Sequence, residues 1–146
     1  MQEFSDAAYT KYQGFVDDGY SAAQQALQNG KLQVPSGISQ NTVLGQFTDQ
    51  YARTAMNEWL DSEGIDEGAG ELIQVNRYLY DPAGSGSYRI PDVSIPGANQ
   101  IYDATLGFKS WSTPQIQGFY QYSGGSNITI VRPTQLGGSY SILVPH

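Results

Sequence analysis

The 146-residue chain is acidic, with 14 Asp and Glu against 7 Lys and Arg, a formal net charge of −7, no cysteine and one histidine, His146. That length suits a single domain with one ordinary core. The composition excludes disulfides and thiolate metal sites, argues against histidine-based zinc or Ser-His-Asp chemistry, and leaves carboxylates as ligands for any metal.

In chain order, residues 3–29 carry apolar side chains at helical spacing (Phe4, Ala8, Tyr12, Phe15, then Ala22, Ala23, Ala26, Leu27), with Asn29-Gly30 as a stop. Gly14 and Gly19 allow a break near residues 17–20. A loop around Pro35-Ser36-Gly37 precedes a second helix, from Asn41 or Thr42 to Glu63, whose stripe is Val43, Leu44, Phe47, Tyr51, Ala55 and Trp59 or Leu60. After an acidic loop over 65–70, residues 71–80 read as one strand. Residues 88–95 and 100–109 form two further strands, joined by a Pro96-Gly97 turn. Thr113-Pro114 starts a short helix buried through Ile116, Phe119 and Tyr120 and closed by Gly124-Gly125. Strands over 127–132 and 140–144 complete the chain. This order predicts an α/β (α+β) fold in which helices flank a central mixed sheet of four to five strands. Residues 1–40 are expected as an N-terminal helical segment packed on a core of 41–146. No apolar run approaches membrane-spanning length, and the start lacks a basic-then-apolar secretory pattern.

Charge is divided unevenly. Up to Glu71, eleven acidic residues face Lys11, Lys31 and Arg53, a net of −8, whereas from Leu72 onward the net is +1. The acidic helical half suits a basic protein partner, and the strand half suits an anionic ligand once a divalent cation is bound.

Two aspartates stand among apolar strand residues, Asp92 beside Val93 and Ile95, and Asp103 after Ile101 and Tyr102. A charge in a half-buried strand is costly unless paired or metal-bound. On the 100–109 strand, Asp103, Thr105, Gly107 and Lys109 share one face. Two carboxylates with a lysine make a divalent-metal site for attack on a phosphate. The plainer alternatives are a turn aspartate bonding backbone amides for Asp92, and an ion pair with Arg89 or Arg77 for Asp103. Asp49 on the second helix is read as part of a solvated face.

Pro91-Asp92, Asp103 with Lys109 downstream, and Gln115 and Gln117 on the next helix, in this element order, resemble the restriction-endonuclease-like PD-(D/E)xK nuclease fold over residues 41–144. The chain is similar to small toxin domains at the C-termini of bacterial polymorphic toxins, including Rhs-type type VI secretion effectors. The resemblance implies a DNase using Mg²⁺ (or Mn²⁺) held by Asp92 and Asp103, with Lys109 and Gln115 as catalytic groups and Thr105, Gln117 and Arg132 meeting the substrate. It makes Asp49 a candidate acid on the helix before the sheet, beside the plainer reading of a solvated face. It also implies a larger secreted carrier, a cognate immunity protein, delivery from the bacterial cytoplasm into a target cell, and no membrane partner. An RNase or nucleotide-cofactor hydrolase on a similar fold, or a non-catalytic interaction or immunity module, are the other readings. One departure stands out: Thr105 occupies the place of the family's lysine, and six extended residues to Lys109 span about 20 Å. Either a bend or bulge at Gly107 brings Lys109 back, or Gln115 or Gln117 takes the lysine's place, or the chemistry is different.

Overall fold

The computed structural model describes residues 1–145; His146 lies outside the described residues. Helix α1 (Gln2–Gln28) buries Ala8, Tyr12, Val16 and Ala23 along one stripe. It runs unbroken through Gly19, because that glycine marks close approach to the next helix: a Cβ there would stand 3.1 Å from the Thr48 carbonyl and from the Tyr51 ring. Helix α2 (Gln40–Ser62) starts at Ser39, whose Oγ accepts the Thr42 N–H (3.1 Å), and buries Val43, Leu44, Thr48, Ala52, Met56 and Leu60.

The expected strand over 71–80 is in fact two. Strand β1 (Gln74–Val75) ends at Asn76, which turns left-handed (φ 55), and β2 (Leu79–Tyr80) joins a separate ribbon. Asparagine tolerates that conformation better than most residues. The expected strand over 88–95 splits likewise at Pro91 into β3 (Tyr88–Arg89), paired with β2, and β4 (Val93–Ile95). Proline lacks the N–H that a continuous ladder needs. Strand β5 (Gln100–Ala104) stops five residues short of Lys109. Helix α3 (Pro114–Tyr122), β6 (Asn127–Val131) and β7 (Tyr140–Ser141) follow. Thr113 precedes α3 without capping it; its Oγ1 accepts the Ser110 N–H instead (3.2 Å).

The main sheet is mixed, in the order β1-β4-β5-β6-β7, with β5 and β6 parallel across α3 and the other pairs antiparallel. One face (Val75, Val93, Ile95, Tyr102, Ala104, Val131) packs on α1 and α2, and the other (Ile101, Ile128, Ile130) on Ile116 and Phe119 of α3. Full burial of side chains such as Met56, Leu60 and Ile95 contributes about 1.5–3 kcal/mol each. The β2–β3 ribbon lies on α3 through Leu79 and through Arg89, which crosses Gly118. Among the described residues no helix is long and apolar enough to cross a membrane.

Candidate active site

The sheet register decides whether the two aspartates meet. Val93 pairs with Tyr102 in antiparallel register, so the preceding Asp92 stands across from Asp103 at the end of the ladder. Both are buried, at 8% and 3% exposure. Thr105 N–H donates to Val131 of β6 (3.1 Å), so the Ala104 N–H faces β4. There the Asp92 Oδ2, rather than a strand carbonyl, accepts it at 2.7 Å. The amide-bonding alternative for Asp92 is therefore present together with the pairing to Asp103.

Lys109 returns to this pair through a turn, not along a strand. Beyond Ala104 the chain bends at Leu106 and Gly107, and the Thr105 Oγ1 accepts the Gly107 N–H (3.3 Å). The Arg132 guanidinium pins the bend by donating to the carbonyls of Leu106 (2.9 Å) and Leu136 (2.7 Å), and it lies 4.0 Å from the Phe108 ring centroid. The Tyr140 hydroxyl then clamps the Lys109 backbone, accepting its N–H and donating to its carbonyl, both at 2.7 Å. Lys109 Nζ ends 3.0 Å from Asp103 Oδ2 and 3.0 Å from Gln115 Oε1. The shared strand face expected for Asp103, Thr105, Gly107 and Lys109 is thus replaced by a folded-back loop. Neither Arg77, which pairs with Glu67, nor Arg89, which covers Gly118, is the partner of Asp103.

Asp49 completes the cluster from α2. It is partly buried rather than on a solvated face, and it lines a groove of about 360 Å³ with Gly45, Thr105 and Lys109. Burial, then the charge of Asp103, pushes its carboxyl up from 3.8 to about 6, against the pull of Arg53 and Lys109. Asp92 is driven well above the ordinary carboxylate range by burial first, then by the charges of Asp103 and Asp49; the Ala104 N–H opposes this. Tyr12 of α1, fully buried, is raised by burial, then by Asp92, Asp49 and Asp103, so its phenol keeps its proton. With Asp103 paired to Lys109, the raised carboxyls of Asp92 and Asp49 take up protons to relieve their mutual repulsion, and a bound cation would relieve it in the same way.

The remaining expected residues fall elsewhere. Gln115, near the start of α3, is in the cluster; exposed Gln117 is on another face, donating to the Trp111 carbonyl (2.9 Å). Thr105 lines the groove wall. Arg132 is 7% exposed and turned inward, not presented to solvent as phosphate contact requires. Another hollow of about 450 Å³ along α2, at Phe47, Tyr51 and Ala55, contains none of the cluster. Tyr12 and Tyr140 escaped the sequence reading, which favours a solvated face for Asp49 over the site acid that the resemblance offers there. For Asp49 a signal existed: it follows buried Thr48 and lies one turn after Gly45, whose missing side chain opens the groove. Comparison of the chain with family models, with curated proteins and with solved structures gives no match.

Proposed function

We propose that the chain is a metal-dependent phosphodiesterase that cleaves DNA, a toxin domain of the restriction-endonuclease-like PD-(D/E)xK kind. The observation that carries this reading is the cross-strand pair Asp92–Asp103 with Lys109 Nζ folded back to 3.0 Å from Asp103. The donor set fits a hard divalent cation, being all oxygen in a chain without cysteine. Among the described residues no three His, Cys, Asp or Glu side chains form a closed metal cluster. Mg²⁺ commonly uses one or two carboxylates and takes its other ligands from water and substrate phosphate, which suits a pair.

In this reading Asp92 and Asp103 hold the cation, with Asp92 oriented by the Ala104 N–H. When bound, the cation supplies Lewis acidity at the phosphate and lowers the pKa of an attacking water. Lys109 Nζ orients the attacking oxygen and stabilises negative charge on the phosphate, and Gln115 Oε1 fixes the ammonium. Asp49, which holds a proton up to about pH 6, lines the groove where the departing oxygen needs one. A larger secreted carrier, delivery into a target cell and an immunity protein gripping the acidic α1–α2 half belong to the same proposal.

The test is plasmid cleavage in Mg²⁺ or Mn²⁺ against EDTA, with RNA and nicotinamide nucleotides assayed alongside. Nicking that disappears in EDTA and in Asp92→Ala is the expected outcome. Cleavage retained by Asp92→Ala overturns the assignment, and cleavage of RNA or a nucleotide alone moves the chain to another enzyme class. Harmless expression in bacteria with no effect of cation leaves a non-catalytic interaction module.

A further inference from the structure

We infer that the β2–β3 ribbon is a docking element for DNA with unpaired bases, Arg89 meeting a backbone phosphate and Tyr78, Tyr80 and Tyr88 stacking on bases as the strand approaches the site. The inference rests on the nuclease reading above and gives it a substrate form, single-stranded rather than duplex DNA.

The ribbon has two faces because strand side chains alternate. Leu79 and Arg89, paired across it, face α3, whereas Tyr80 and Tyr88, also paired, face away together with Tyr78. The Tyr78 and Tyr88 rings stack with centroids 4.4 Å apart and 6° between their planes, and Tyr80 meets both edge-on at 5.8 and 6.0 Å. Such cross-strand contacts stiffen a short ribbon. They also leave three adjacent rings in water, at 51%, 58% and 44% exposure, and a contiguous exposed patch of this kind marks a binding surface. Aromatic faces held rigid in this way suit nucleobases, any of which stacks on them.

Charge selects nucleic acid as the occupant. Of the four Lys and Arg side chains from Leu72 onward, Arg77 pairs with Glu67, Lys109 pairs with Asp103, and Arg132 donates to two carbonyls. Arg89 has no carboxylate partner among the described residues, and its Nε is buried without a hydrogen bond. A partly dehydrated, unpaired guanidinium calls for an anion. The acids near the ribbon do not supply one. Asp81 accepts the Ala83 N–H (2.9 Å) and the Ser85 hydroxyl (2.6 Å), and Glu67 is taken by Arg77 and the Val75 N–H.

Position ties the ribbon to the cluster. The Arg89 side chain crosses Gly118, and Gln115, which bonds Lys109 Nζ, lies three residues earlier on the same side of α3, about 4.5 Å along its axis. A strand with one phosphate at Lys109 meets Arg89 a turn further along the helix, and then the tyrosines. Residues 82–87 at the ribbon tip carry only small, exposed side chains, which leave that path open.

The experiment follows fluorescence anisotropy of a labelled oligothymidylate, and of its duplex with oligodeoxyadenylate, in EDTA at several salt concentrations. Wild type should bind the single strand about tenfold tighter than the duplex. Tyr80→Ala should weaken single-strand binding about tenfold with an unchanged salt slope, while Tyr80→Phe binds as wild type. Arg89→Gln should flatten the plot of log K against log salt by about 0.7, and Arg89→Lys should restore it, a change that a merely structural arginine would not produce. Tyr80 is exposed enough for its variants to keep the wild-type melting temperature, so they decide the matter even where Arg89→Gln fails to fold. Equal binding of both DNA forms, wild-type affinity in Tyr80→Ala, or no binding of either form overturns the inference. Plasmid cleavage alongside any of these results leaves the nuclease reading standing without the ribbon. Single-strand binding as described, with no cleavage of any DNA in Mg²⁺, removes the nuclease reading and keeps the ribbon as a DNA-binding element.

Discussion

Asp49 gives the sharpest stability test of the cluster. Its carboxyl rises from 3.8 to about 6 in the folded chain, so between those values the native state holds a proton that the unfolded chain has released. Unfolding free energy therefore falls as pH rises through this window and levels off above it. At about 1.4 kcal/mol per pKa unit, the ionised carboxylate costs the fold about 3 kcal/mol at pH 7. Asp49→Asn keeps the shape and removes the charge. In urea unfolding at pH 5, 6, 7 and 8 with EDTA present, the variant should be more stable than wild type at neutral pH. Its advantage should grow by about 1 kcal/mol between pH 5 and pH 7, then stay nearly constant. Asp92 is pushed in the same direction and partly by Asp49 itself, so the difference between the curves reports Asp49 together with its share of the Asp92 shift. An advantage that is flat or shrinks as pH rises would refute the claim that Asp49 is ionised against burial and Asp103.

The folded-back lysine and the inward arginine make further predictions. Lys109→Met leaves Asp103, whose side chain is 4% exposed, without its cation; with the lysine itself 23% exposed, the loss should be about 2 kcal/mol in urea unfolding at pH 7. No loss would reduce the contact to a surface pair. Arg132→Met removes two carbonyl bonds and the Phe108 contact, and should cost about 2–4 kcal/mol, whereas an exposed phosphate-contact arginine would cost almost nothing. Two glycine-to-alanine changes should differ in sign by thermal melting. Gly14→Ala, with open space around the new Cβ, should stabilise by about 0.5–1 kcal/mol. Gly118→Ala, whose Cβ would stand 2.6 Å from Arg89 Nε, should destabilise by about 1–3 kcal/mol unless Arg89 swings away, and an equal gain at both positions would show that it does.

The helices were legible because their cause is local: an apolar stripe at 3.6-residue spacing, and glycines after the last turn. The strands were legible as places but not as lengths. Residues 71–80 and 88–95 have strand composition throughout, yet each is split by one residue, Asn76 in the left-handed region and Pro91 without an N–H. Composition averages over such residues, and the backbone does not. Asp92 and Asp103 could be found because a carboxylate between apolar strand neighbours is costly and visible in one dimension. Asp49 and Tyr12 could not be found in the same way, because what marks them is proximity to those acids across some forty to ninety positions of chain.

The route of Lys109 shows why spacing alone misjudges such a site. Counting residues along an extended strand sets the lysine about 20 Å from Asp103, and that figure holds only if the strand continues. What ends it lies elsewhere in the sequence: Arg132 occupies the carbonyl of Leu106, and Tyr140 satisfies both backbone groups of Lys109. These contacts satisfy polar groups that continued β pairing would otherwise serve, so the turn is stable without a left-handed residue, and Gly107 has none. The ammonium is delivered by residues 23 and 31 positions downstream of it, which is why the pattern around Asp103 looks broken in the sequence while its charge is paired in the fold.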